Sequence, residues 1–137
     1  MTVLDTQESK NAATRTWEAV CKIEHLAPER GAAALLGGHQ VALFRLVDDR
    51  VLAVDQHDPF SDAYVISRGI VGSRTVDGVE VPTVASPMYK QVFDLLTGRC
   101  LDLAGKTPVA GAAADLTAWP VRVRDGVVEV EVEVTAP

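Results

Sequence analysis

The run Val127-Val-Glu-Val-Glu-Val-Glu-Val134 alternates apolar and acidic residues without a break. A period of two belongs to a β-strand and not to a helix. Val128, Val130, Val132 and Val134 fall on one face, and Glu129, Glu131 and Glu133 on the other. Such a strand buries one face and wets the other. It follows Asp125-Gly126, and Asp77-Gly78 separates "GIVGSRTV" from "VEVPTVA" in the same way. Asp-Gly between two such runs is a two-residue hairpin signal, because both residues tolerate positive φ. Gly37-Gly38 and Asp48-Asp49 punctuate further short apolar runs.

The rest of the chain agrees. Trp17–Cys21 alternates as a first strand, and "KIEHLAPERGA" reads as a loop or single helical turn, with Pro28 preventing continuation. The segment 103–118 is rich in small residues and is expected to be a loop. No amphipathic helix of useful length occurs. The expected fold class is all-β, an antiparallel sandwich or barrel with hairpin loops. Residues 1–14 are polar and aperiodic and are expected to form a flexible tail, leaving one domain over residues 15–137. The acidic face of the last strand is expected to be solvated and to guard an edge.

Composition narrows function. Of 137 residues, 47% are apolar and 23% charged, so a core can form without staples. The net charge of −6 and the lack of any Lys/Arg cluster argue against nucleic acid and against anionic membrane surfaces. No apolar run is long enough to span a bilayer, and no signal peptide is visible. Cys21 and Cys100 are far apart, with no C-x-x-C pair. A cytoplasmic protein with reduced thiols is expected.

The segment from about Val51 to Asp102 resembles the cluster-binding region of the Rieske [2Fe–2S] family, with C-x-H on one loop and C-x-x-H on the next. The second loop matches at Ser86-Pro87-Met88-Tyr89, then Phe93-Asp94-Leu95 and Thr97-Gly98-Arg99. Gly98 fits a turn position of positive φ. The first loop is matched at Asp55-Gln56-His57, followed by Asp58-Pro59-Phe60. Read so, Asp55, Ser86 and Tyr89 replace three ligands, and His57 is retained. The cluster requires soft thiolates, and these positions offer hard oxygens. No cofactor or metal is therefore expected on this chain. Asp55, His57 and Tyr89 could instead hold a single iron or zinc ion, and His57 could simply bond a neighbouring backbone group.

Longer strings sharpen the resemblance. Asp58-Pro59-Phe60-Ser61, Ala63-Tyr64-Val65, Ser67-Arg68-Gly69-Ile70-Val71-Gly72 and the run from Ala85 to Cys100 resemble the small subunits of NAD(P)H-dependent nitrite reductases. That resemblance implies a Rieske-like fold without a cluster. It implies a large-subunit partner carrying FAD, a [4Fe–4S] cluster and sirohaem, which reduces nitrite to ammonia in nitrate assimilation. This chain would be a non-catalytic docking subunit of that oxidoreductase, inactive alone. Tyr64, Arg68, Met88, Tyr89 and Lys90 are the candidate docking residues, since Tyr, Met and Arg favour interface cores. The alternative is a Rieske-like interaction or electron-transfer module of another reductase or oxygenase.

Overall fold

The computed structural model describes residues 13–135. The expected tail lies outside the described residues over 1–12, and the first strand begins at Ala13. Eleven strands follow in order: β1 (Ala13–Lys22), β2 (Gly31–Leu36), β3 (His39–Arg45), β4 (Val51–Asp55), β5 (Ile70–Val76), β6 (Val79–Ala85), β7 (Val92–Asp94), β8 (Cys100–Asp102), β9 (Ala118–Trp119), β10 (Val121–Arg124) and β11 (Val127–Thr135). Two short 3₁₀ turns, Ile23–His25 and Ile66–Arg68, complete the elements. The first is the single helical turn expected ahead of Pro28.

The strands form three antiparallel sheets, ordered β1-β11-β10, β2-β3-β4-β9 and β5-β6-β7-β8. The second sheet lies between two cores. On one side Val41, Leu43 and Ala53 pack with Val128, Val130 and Val132. On the other, Ala42, Phe44 and Val54 pack with Val84, Phe93, Leu95, Phe60 and Ile66. This explains the unbroken apolar run of β3. A strand covered on both faces has no wet face to mark with polar residues. Phe93 and Leu95, which flank Asp94, are both buried.

The hairpins close where the turn residues placed them. Asp77 and Gly78 have φ of 50° and 80°, and Asp125 and Gly126 have φ of 52° and 78°. Gly37-Gly38 joins β2 to β3, and the β3–β4 connection spans residues 46–50, held by Arg45 on Asp49 and Arg50 on Asp48. Gly98, at φ of 81°, has a second constraint: a Cβ there would collide with the Leu116 carbonyl oxygen. That close approach lets the Leu116 N–H donate to the Gly98 carbonyl, at 2.8 Å, and anchors the long loop before β9.

One expectation is corrected. β11 is not an edge. It pairs with β1 on one side and with β10 on the other. Its glutamates are therefore met from both neighbours: Arg15 of β1 reaches Glu131 at 3.0 Å and Glu133 at 3.2 Å, and Arg122 of β10 reaches Glu129 at 2.6 Å. Arg122 also lies over the Trp17 ring, 4.2 Å from its centroid. The exposed Arg15 pairs add little stability, but they place opposite charges across each strand pair.

Gly126→Val is expected to destabilise the domain by about 1 kcal/mol or more, because a β-branched residue resists positive φ. Space is not the problem there, since nothing lies within 4 Å of the added Cβ. Gly98→Ala is expected to cost more, because it adds a backbone collision to the strain. Thermal melts of the two variants check the order, and equal, unshifted melting temperatures would refute both turn assignments.

Candidate functional site

The two matched loops leave β4 and β6 and meet over the β5–β8 sheet. A short side-chain hydrogen bond joins them. The Ser86 hydroxyl donates to Asp58 Oδ2 at 2.6 Å, and both residues are buried. The other Asp58 oxygen accepts the Phe60 N–H at 2.8 Å. Each loop is also pinned to itself. Asp58 N–H donates to Ala63 O and Asp62 N–H to Asp58 O, both at 2.8 Å. Ser86 N–H donates to Gln91 O at 2.9 Å, and Lys90 N–H to Ser86 O at 3.1 Å. Asp62 and Lys90, at φ of 63° and 66°, turn the chain sharply in each loop.

Asp55 and His57 do not meet Ser86. Asp55 turns toward the strand that follows the long loop, accepting the Thr117 N–H at 2.9 Å and the Trp119 indole N–H at 3.2 Å. His57 is bonded to a side chain and not to backbone: its Nε2 lies 2.7 Å from Asp62 Oδ1. Its ring also lies 5.0 Å from that of Tyr64. Asp55, His57 and Tyr64 line a polar cleft with Gly38, His39 and Gln40. The residue that faces Ser86 is Asp58, three positions further on. Asp58-Pro59-Phe60 has the same one-residue spacing as Asp55-Gln56-His57, so the pattern alone could not separate them. Phe60, the third residue of that triplet, is buried with its ring 6.3 Å from that of Phe93.

The donors present do not suit a Rieske cluster, which needs two thiolates and two imidazoles. Ser86 and Asp58 offer oxygens that are already bonded to each other. Cys21 sits on β1 and Cys100 on β8, where its thiol faces the Asp102 carbonyl oxygen at 3.5 Å. Burial pushes both thiols above the ordinary cysteine range. Among the described residues, no group of three or more His, Cys, Asp or Glu side chains is placed to hold a metal ion.

The five docking candidates fall in three surroundings. Tyr64 is exposed beside His57 and the polar cleft. Arg68 lines a different cleft with Glu29, Arg30 and Ile70. Met88, Tyr89 and Lys90 are exposed together on the second loop. Sequence reading missed their neighbour Lys106, whose ammonium lies 4.7 Å from the Tyr89 ring centroid. Lys106 sits in a stretch of Gly and Ala with no pattern, so nothing local marked it. The loop that carries it is tied down by Val109 N–H to Pro59 O, at 2.8 Å, and by the buried Gln91 amide to Leu103 O. Beneath the tip, Gln91 Oε1 has no hydrogen-bond partner among the described residues.

The chain and its fold are similar to known proteins. The family model for the Rieske-like [2Fe–2S] domain covers residues 16–131. The nitrite reductase (NADH) small subunit of Escherichia coli strain K12 is 37% identical over 114 residues, covering 82% of this chain and 94% of that one. The nitrite reductase [NAD(P)H] large subunit of Klebsiella oxytoca is 39% identical over 113 residues. That match covers 82% of this chain but only 10% of the Klebsiella polypeptide. A crystal structure assigned as an NADH-dependent nitrite reductase small subunit from Mycobacterium tuberculosis superimposes with a TM-score of 0.72 and 43% identity, covering 87% of this chain and 96% of that one.

Ser86→Ala is expected to cost about 2–3 kcal/mol, because it leaves a buried carboxylate oxygen without its donor. Ser86→Ala combined with Asp58→Ala is expected to cost less than the sum of the two single changes. A double-mutant cycle by urea unfolding checks this, and strict additivity would show that the bond does not couple the loops.

Proposed function

The chain belongs to the Rieske-like [2Fe–2S] domain family and, within it, to the nitrite reductase small subunits, and on that footing we propose that it is the accessory subunit of an NAD(P)H-dependent nitrite reductase. The observation that carries this reading is a match that runs almost end to end through the E. coli small subunit. A similar domain inside the Klebsiella large-subunit polypeptide supports a place beside the catalytic machinery. In this reading the large subunit carries FAD, a [4Fe–4S] cluster and sirohaem, and converts nitrite to ammonia in nitrate assimilation. The chain works in the cytoplasm. No helix among the described residues is long and apolar enough to cross a membrane.

The chain itself takes no part in electron transfer. Its loops are closed by the Ser86–Asp58 hydrogen bond, so no metal is needed to shape them. What the tip presents is a surface: Met88 and Tyr89 as apolar anchors, with Lys90 and Lys106 beside them. On a chain of net charge −6, two cations flanking exposed apolar side chains suit an acidic rim around an apolar pocket on the large subunit. Tyr64 and Arg68, each at a separate cleft, act at the margin of that contact.

Two measurements test this. The purified chain is expected to be colourless and to lack stoichiometric iron and acid-labile sulfide; a visible band with both would refute it. Binding to the large subunit is expected to separate two variants. Tyr89→Ala removes an anchor and is expected to weaken binding by about 2 kcal/mol, mainly through faster dissociation that salt barely changes. Lys90→Glu is expected to slow association in a salt-dependent way. Thermal melts of both should match the parent. If both variants bind like the parent, the tip is not the contact surface.

A further inference from the structure

We propose that the outer edge of β2 is a self-association site, on which a second copy of this chain pairs antiparallel across a two-fold axis. Six strands stand at sheet edges: β1, β10, β2, β9, β5 and β8. Natural sheets guard such edges with charge, proline, bulges or brevity. β1 carries Arg15, Glu18 and Lys22; β10 carries Arg122 and Arg124; β5 carries Arg74; β8 is three residues long and carries Asp102; β9 is two residues long. β2 is six residues, Gly-Ala-Ala-Ala-Leu-Leu, with no charge and no proline.

Among the described residues the edge is also unpaired. Leu36 and His39 flank the two-residue turn and form the first hydrogen-bonded pair of the hairpin. The backbone groups of Ala33 and Leu35 therefore point away from β3. Neither residue makes a backbone hydrogen bond outside the ladder among the described residues. A cleft of about 450 Å³ lies along this edge, between β1 and β2. Leu35 is 71% exposed.

Sequence favours a second copy as the occupant. A two-fold contact meets itself, so any charge near the axis would face its own copy. In the register centred on Ala34, Ala33 faces Leu35 of the second copy and Leu35 faces Ala33. Four backbone hydrogen bonds then form, and each exposed leucine lies over a small alanine that leaves room for it. At the two ends, Glu29 comes opposite His39 of the second copy, and Arg30 opposite Gly38. No like charges are opposed along the paired strands.

The test is sedimentation of the full chain over a wide concentration range, with amide exchange of Ala33 and Leu35 measured alongside. The expected result is a dimer that forms with concentration, together with rising protection of those two amides. Leu35→Lys puts like charges near the axis without touching a core. It is expected to weaken the dimer about tenfold or more, whereas Val47→Lys, on an equally exposed site elsewhere, leaves it unchanged. A chain that stays monomeric throughout overturns the proposal, as does a dimer indifferent to Leu35→Lys. So does protection that is independent of concentration, which would mean the chain covers its own edge. Protection that appears only with the large subunit would assign the edge to that partner instead.

Discussion

The Ser86–Asp58 hydrogen bond holds the two-loop tip of this domain together. In a Rieske domain a cluster bridges two loops and fixes their geometry through four ligands. Here a buried hydroxyl and a buried carboxylate meet at 2.6 Å and do the bridging. A charged acceptor makes such a bond stronger than a neutral pair, and burial makes its loss costly. The rest of the tip follows from it. The first loop can turn at Asp62, the second at Lys90, and Phe60 can fill the space beside Phe93.

A site closed this way leaves the outer side chains free to serve another purpose. Met88 and Tyr89 need not satisfy any ligand geometry, yet they remain large and half exposed. Lys106 reaches over Tyr89 from a third loop, which is itself pinned to the first loop at Pro59. The surface is thus built from three loops tied to one another, and in the proposed docking role it is ordered before a partner arrives. Preorganisation of that kind lowers the cost of binding.

Much of this was legible in the sequence. Asp77-Gly78 and Asp125-Gly126 located hairpins because their chemistry is local. Phe93 and Leu95 are both buried, but so is Asp94 between them, so alternation alone does not mark that strand. The position of β11 was not legible, because its second neighbour is β1, at the other end of the chain; the Arg15–Glu131 contact spans 116 positions. A row of glutamates looks alike on an edge strand and on a central strand facing water. The site was legible in its second loop and ambiguous in its first. Asp55 and Asp58 both begin a triplet with the required spacing, and only the three-dimensional partner of Ser86 separates them. Lys106 acquires its meaning from a ring far away in sequence.

In the proposed role this chain contributes a surface and no electrons of its own. The most direct measurement is electron paramagnetic resonance of the chemically reduced large subunit, recorded with and without this chain. The same set of paramagnetic centres is expected in both samples, with at most shifted potentials. A new reduced-cluster signal that appears with this chain, and disappears when Ser86 and Asp58 are replaced, would contradict it.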